Sequence, residues 1–176
     1  MKLNKIKTPC VGAGTLRIFN ELSEEGELRG QWLCNGAAMW RITGLPTIGT
    51  ENIPALLGLS AKQVEKLRIS IGDFPTAYDP GDYDSENIVM QPAQISLKEN
   101  GRENLILRGG HFVLTANAAL LAPAWTEDTQ ILLRLDTNGQ PYLVLLDGFF
   151  ASAIIMPTQN ILTDADREAL MALLRG

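Results

Sequence analysis

His111 is the only histidine in the chain. A Cys–His or Ser–His nucleophile would have to use it, with Cys10, Cys34 or a serine as the attacking group. It follows Gly109-Gly110, a pair that permits close approach of the backbone to a ligand. No family signature of a nucleophilic enzyme surrounds it, so the sequence predicts a polar histidine at the end of a strand. We therefore expect a non-enzymatic protein, with an enzyme that uses His111 as the alternative.

Carboxylate side chains that could bind a metal ion such as calcium are concentrated in one segment, residues 74–87. This segment also contains two prolines and a glycine. Its acids after Asp73 are Asp79, Asp82, Asp84 and Glu86. The order of calcium ligands in an EF-hand loop and its glycine are absent, so this segment is predicted to be a solvated linker. The two cysteines have no CxxC spacing, so no structural zinc site is expected. We expect no other metal site either.

Phosphate-binding glycine motifs are incomplete. Gly12-Ala13-Gly14 lacks the following glycine of a dinucleotide-binding fingerprint, and no Gly-Lys-Ser/Thr sequence occurs. The chain is therefore expected to bind no nucleotide cofactor.

Two groups of side chains are candidates for binding surfaces. Trp32 and Trp40 lie eight residues apart on one predicted strand face, where they would stack on sugars or bases; a pair of core or interface aromatics is the alternative. Lys62, Lys66 and Arg68 form a small basic face on a predicted helix, and the alternative is a solvated helix surface.

The overall composition is that of a globular protein, with 45% hydrophobic and 20% charged residues. A net charge of −5 argues against a generally basic nucleic-acid binder but is compatible with a local basic face. The first residues include lysines but no apolar run, so they do not resemble a signal peptide, and no apolar run is long enough to span a membrane. Both cysteines are expected to be reduced, which fits a cytoplasmic location.

Residues 130–157 form the longest apolar block and predict a three-stranded antiparallel meander. The Asn138-Gly139 dipeptide between apolar runs predicts a two-residue type I′ hairpin turn, joining strands at 130–137 and 140–147. Gly148 permits the second reversal, and a third strand over 149–156 ends at Pro157. Both faces of the second strand are apolar, which indicates a central, covered position.

The other segments predict further strands and short helices. Residues 15–22 alternate as a strand, 29–42 read as one strand interrupted at Gly36, and Ser60 is the predicted N-cap of a helix over the following residues. Asn100-Gly101 predicts a second hairpin, and a helix is expected near 115–121 with Thr115 as its cap. Thr163 and Asp166 predict the start of a terminal helix over 160–175.

This order of elements predicts an α+β fold with antiparallel sheet, in a single domain spanning residues 1–176. The domain would have two halves, about 1–75 and 86–176, joined by the acidic Pro/Gly loop. Each half combines β-hairpins with a helix.

Two pieces of the sequence resemble the DNA sliding-clamp family of the bacterial DNA polymerase III β-subunit type. The first is ILRGGHFVLTANAALLAPAW followed by the meander that ends AIIMPT, which is similar to the last part of such clamps. The second is WLCNGAAMWRI, where Asn35-Gly36 stands in place of an Asp-Gly and Ala37 and Ala38 replace a histidine and an arginine of the family motif. The terminal helix also departs from the family, whose chains end soon after the Met-Pro strand.

The resemblance implies a clamp-like domain built from repeated β-α-β-β-β units, with helices facing the DNA and sheets outside. It implies a non-catalytic processivity factor, of phage or mobile-element type, that binds duplex DNA through phosphates at Lys62, Lys66 and Arg68. A ring needs six such domains, so the resemblance also implies a homo-oligomer, and a replication protein is the expected partner. The alternative is a protein-interaction module that uses its exposed aromatic residues.

Overall fold

The computed structural model describes residues 1–81, 87–158 and 162–174, and these form a mixed α+β structure around one sheet. Ten strands lie in the order β4-β1-β2-β3-β10-β9-β8-β5-β6-β7. The strands are β1 Thr15–Leu22, β2 Leu28–Cys34, β3 Ala38–Ile42, β4 Arg68–Asp73, β5 Ile88–Glu99, β6 Arg102–Gly109, β7 Phe112–Asn117, β8 Gln130–Leu135, β9 Pro141–Asp147 and β10 Phe150–Ile155. Only the β1–β4 pair is parallel among these strands.

Helices cover mainly one side of the sheet, which we call the front face. They are a 3-10 turn Leu3–Lys5, α1 Lys7–Ala13, α2 Ile53–Leu56, α3 Ala61–Lys66, α4 Ala118–Leu121 and α5 Asp164–Leu174. The main hydrophobic core, which we call the front core, lies between these helices and the sheet. It includes Ile6 just before α1, Cys10 within α1, Ile53 of α2, and Leu120 and Leu121 of α4. Burial of these side chains against the sheet holds the short helices in place, since helices of this length have little stability alone.

The opposite side, the back face, has two smaller cores. Trp32, Tyr142 and Val144 pack with Phe74 and Tyr78 of the loop after β4. Leu162 and Leu170 of the terminal segment pack on Ile106 and Val113. The terminal helix α5 therefore lies against its own sheet, and its Thr163–Asp166 cap is confirmed by a hydrogen bond from Thr163 N to Asp166 Oδ2 of 2.9 Å.

A buried guanidinium connects the loop to the back face. Arg134 on β8 is only 5% exposed. Its Nε donates to Asn87 Oδ1 at 2.7 Å, and its Nη1 donates to the carbonyl oxygen of Asp79 at 2.6 Å. These two bonds attach both described ends of the loop to the central meander.

The predicted meander is confirmed as β8, β9 and β10, with β9 central and buried along most of its length. The predicted type I′ turn at Asn138-Gly139 is wrong, because Gly139 has positive φ and Asn138 does not. Asp136 Oδ1 accepts hydrogen bonds from the backbone N–H groups of Asn138 and Gln140, both at 2.8 Å. This carboxylate stabilises a longer loop. At Asn100-Gly101 both residues have positive φ, as a type I′ turn requires.

The prediction of one interrupted strand over residues 29–42 is wrong. The chain reverses at Asn35-Gly36-Ala37, and β2 and β3 pair antiparallel with Leu33 opposite Trp40. Asn35 Oδ1 accepts from the N–H groups of Ala37 at 3.1 Å and Ala38 at 2.9 Å, which closes the turn.

The helices differ more from the sequence predictions than the strands do. The helix that begins after Ser60 is confirmed, with Gln63 Oε1 accepting from Ser60 N at 3.0 Å, but it ends at Lys66. Thr115 lies in β7 and donates to the carbonyl oxygen of Thr158, so it is not a helix cap. Asn117 caps α4 by accepting from Ala119 N at 2.9 Å. Three acids of the predicted linker, Asp82, Asp84 and Glu86, lie outside the described residues.

The sheet contains a repeated arrangement about its centre. A helix followed by three antiparallel strands occurs as α1-β1-β2-β3 and again as α4-β8-β9-β10. The two triplets meet where β3 pairs antiparallel with β10, so the central order β1-β2-β3-β10-β9-β8 is symmetric. Both helices lie on the front face.

Within the described ranges, no helix has the length and apolar character needed to cross a membrane.

Candidate nucleic-acid interface

The front face presents its helices to solvent as a layer with small side chains. A groove of about 540 Å³ runs between α1 and α4 and is lined on the helices by Thr8, Gly12, Ala13, Ala118 and Ala119. Because these side chains are short, the backbone of a partner could approach the helices closely. The turn between β5 and β6 borders one side of the groove.

Hydrogen bonds fix α1 against its neighbours. Asn35 Nδ2 donates to the carbonyl oxygen of Pro9 at 3.3 Å, which ties the β2–β3 turn to the middle of α1. Lys7 Nζ donates to the carbonyl oxygen of Gly58 at 2.5 Å, just before α3. At its other end, the carbonyl oxygen of Gly14 accepts from Arg68 N at 3.0 Å.

The α4 side is anchored through the chain terminus and one indole. Lys2 N donates to the carbonyl oxygen of Pro123 at 2.8 Å, so the 3-10 turn lies beside the end of α4. Trp40 Nε1 donates to the carbonyl oxygen of Leu120 at 2.9 Å. Hydrogen bonds therefore hold both α1 and α4 in fixed positions on the front face.

Four exposed lysines lie in or beside two helical segments connected to α1: the 3-10 turn that precedes it, and α3, which follows the Gly58 carbonyl that Lys7 contacts. Lys62 and Lys66 lie one helical turn apart on α3, and Lys2 and Lys5 lie in and next to the 3-10 turn. Residues 1–20 contain four basic side chains and no acid, a sequence signal that identifies the second pair. We call Lys2, Lys5, Lys62 and Lys66 the basic layer.

The predicted basic face is only partly assembled. Lys62 and Lys66 are together, but Arg68 lies on β4 between Leu67 and Ile69, both of which pack on the front core. Because successive side chains of a strand alternate, Arg68 is directed to the back face, on the same side as Arg17. The prediction that all three form one surface is wrong.

The predicted aromatic surface is also wrong. Trp32 and Trp40 are both fully buried, Trp32 in the back core and Trp40 in the front core. The reversal at Asn35-Gly36 places them on adjacent strands one position out of register, and so on opposite faces. Neither indole can stack on an external ligand.

His111 is exposed in the turn between β6 and β7, next to the positive-φ residue Gly110. The candidate cysteine nucleophiles are buried elsewhere. Burial raises the pKa of the Cys10 thiol to about 12 and also raises the pKa of Cys34, so both thiols are held in the unreactive protonated form. This arrangement argues against the Cys–His hypothesis.

Among the described residues, no group of three or more histidine, cysteine or acidic side chains has a geometry that could hold a metal ion. Comparisons with protein-family models, with curated proteins and with solved structures each find no match.

Proposed function

We propose that this chain is a non-catalytic, clamp-like protein that binds duplex DNA through the phosphate backbone at its front face. The observation that carries the proposal is the repeated helix-and-three-strand unit with both helices on the same face. A sliding-clamp domain has repeated β-α-β-β-β units with helices toward the DNA, as the sequence resemblance implies. In this proposal β7-α4-β8-β9-β10 corresponds to one such unit, with β7 paired to β6, and the 3-10 turn takes the position of the first strand of the other.

Charge distribution supports the same face. The chain is acidic overall, yet the four lysines of the basic layer are all exposed and lie in or beside α3 and the 3-10 turn before α1. Lysines contact phosphates and give affinity without sequence preference. Two acids oppose this charge, since Glu65 is exposed on α3 between the two lysines and Glu103 lines the groove. We therefore expect weak binding that falls steeply with salt.

The double charge reversal Lys62→Glu with Lys66→Glu tests this surface. It is expected to weaken binding to any duplex sequence and to reduce the slope of log K against log salt by about 2, since each lysine that contacts a phosphate contributes about 1. Fluorescence anisotropy with a labelled duplex at low salt measures both quantities. Arg17→Glu with Arg68→Glu is the matched control, because it makes the same charge change at two exposed positions that lie together on the back face.

Equal loss of affinity in the test and control variants would mean that only net charge matters. Duplex binding that is unaffected by the test variant would refute the basic layer as the interface. Absence of duplex binding by the wild-type chain at low salt would refute the proposed function itself.

The proposal extends to self-assembly through the outer strands. β4 and β7 are the two edges of the sheet, and no other strand in the described ranges pairs with their outer sides. An edge strand is a template for another strand, and pairing β4 of one copy with β7 of the next is a head-to-tail contact that can close into a ring.

Sedimentation velocity of the wild-type chain is therefore expected to show a defined oligomer at high concentration. Ile71 on β4 is 52% exposed, and Ile71→Lys adds a charge to this edge, which should shift the population to monomer. Leu135→Lys is the control, because Leu135 is 60% exposed but lies on an interior strand. A chain that remains monomeric at the highest concentration would exclude assembly by these edges.

A further inference from the structure

The end of the sheet farthest from the β2–β3 turn exposes apolar side chains that belong to none of the three cores. Phe149, in the turn between β9 and β10, and Phe150, the first residue of β10, are 83% and 68% exposed. Leu28 at the start of β2 and Leu45 after β3 are also exposed and line a groove with Phe150. We call Leu28, Leu45, Phe149 and Phe150 the end patch. A contiguous exposed apolar patch of this kind marks an interaction surface.

The groove has a volume of about 600 Å³, within the range of small binding sites. Its floor includes Gly30, where an added Cβ would lie 3.2 Å from Glu21 Oε2 and 3.3 Å from Arg41 Nε. Glycine at this position leaves the floor open above the Glu21–Arg41 pair. The groove therefore offers room and exposed aromatic area to a side chain entering from outside.

The charge around the end patch is negative. Arg41 is paired with Glu21 at 3.2 Å and lies over the Trp32 ring, so its charge is neutralised within the protein. Glu24, Glu25 and Glu27 project from the turn before Leu28, and Asp147 lies before Phe149; Arg29 is the one other cation among the groove-lining residues. Ser23 N donates to the carbonyl oxygen of Glu27 at 2.8 Å, which closes the acidic turn.

We infer that the end patch binds a segment of another protein that carries an apolar anchor flanked by basic residues. Exposed phenylalanines provide the desolvated contact that dominates interface energy, and the acidic rim attracts Lys and Arg and repels acidic segments. The same acids disfavour nucleic acid and anionic membranes at this end. The inference is independent of DNA binding, because the end patch does not include the basic layer.

A peptide-display selection on the wild-type chain tests the inference, using random twelve-residue peptides with counter-selection against Phe149→Ser with Phe150→Ser. Recovered peptides are expected to have an aromatic or large aliphatic residue and net positive charge. Their affinity should fall at least about tenfold in the double variant. Glu24→Lys with Glu25→Lys should weaken the same peptides, more at low salt than at high salt.

Phe112→Ser is the matched control, because Phe112 is 38% exposed beside a different hairpin turn. It should leave peptide affinity unchanged, and circular dichroism checks that each variant is folded. Recovery of acidic peptides, of none above the counter-selection, or of peptides that bind the double variant equally well would overturn the inference. So would wild-type self-association that Phe149→Ser with Phe150→Ser abolishes, since the occupant would then be a second copy of the chain.

Discussion

Trp40→Ala is expected to lower the free energy of unfolding by about 4 kcal/mol, in the middle of the range for deleting a buried aromatic side chain. Trp40 is fully buried in the front core, so removal leaves a cavity that the ten-stranded sheet cannot easily close. Its Nε1 also donates to the carbonyl oxygen of Leu120 at 2.9 Å and so connects β3 with α4. Urea unfolding followed by far-UV circular dichroism measures the change without using tryptophan fluorescence.

The two tryptophans provide a control for the hydrogen-bond part of this effect. Trp40→Phe leaves a buried carbonyl without its donor and should cost about 2 kcal/mol. Trp32→Phe should cost less, because Trp32 Nε1 donates to Glu21 Oε2, a partly exposed carboxylate that water and Arg41 can also satisfy. Equal losses in the two variants would mean that packing alone determines the cost and that the Leu120 contact contributes nothing.

If the helical layer depends on Trp40, the phenylalanine variant should also loosen α4. Faster hydrogen exchange at Ala122, whose N–H donates to the carbonyl oxygen of Ala118, would report this directly. Unchanged exchange there would contradict the role of the indole as an anchor of the front face.

Local signals in the sequence determine the central part of the fold. The apolar runs on both sides of Asn138-Gly139 are enough to predict β8, β9 and β10, because a buried meander needs short reversals and two apolar faces. The turn type is harder to predict, since it depends on Asp136, whose carboxylate binds two backbone amides of the loop. A side chain two residues before the dipeptide decides between the two turn geometries.

The largest error concerns a turn signal that the sequence does contain. Asn35-Gly36 is an Asn-Gly pair like Asn100-Gly101 and Asn138-Gly139, yet the long apolar run around it favours one strand with a bulge. A hairpin at this dipeptide separates Trp32 from Trp40, because strand pairing sets the face of each side chain. The aromatic-surface hypothesis depends entirely on that register.

The candidate sites are less predictable than the strands. Helical periodicity is enough to predict that Lys62 and Lys66 share a face. Lys2 and Lys5 cannot be added from local sequence, because their position depends on hydrogen bonds from Lys2 and Lys7 to carbonyl oxygens far away in the chain. The end patch combines β2, the segment after β3 and the β9–β10 turn, which are far apart in sequence. Long-range strand order brings these residues together, and local patterns carry no information about it.

Gly109→Ala is expected to destabilise the protein by about 3 kcal/mol, although the substitution adds a single methyl group. A Cβ at this position would meet the carbonyl oxygen of Val89 and come within 2.6 Å of Met90 Sδ. The sulfur could move, but the carbonyl belongs to the backbone of β5. Thermal and urea unfolding measure the loss.

Gly12→Ala is the matched control. Gly12 lies in α1, and a Cβ there would have no atom within 4 Å. Alanine should leave stability unchanged or raise it by up to about 1 kcal/mol, because it reduces the entropy of the unfolded chain and favours helix. Similar behaviour of the two glycine variants would show that β5 can shift away from Gly109 at little cost.

The position of Gly109 explains why its replacement should destabilise one side of the sheet. β5 pairs with β8 through Ile88–Met90 and with β6 from Gln91 onward, so the clash falls where β5 passes from one partner to the other. A side chain at Gly109 would push β6 and β7 away from the central strands. The rate of hydrogen exchange in Gly109→Ala should therefore rise in β6 and β7, while the amides of β9 stay protected. A uniform loss of protection would instead indicate that the whole sheet unfolds as one unit.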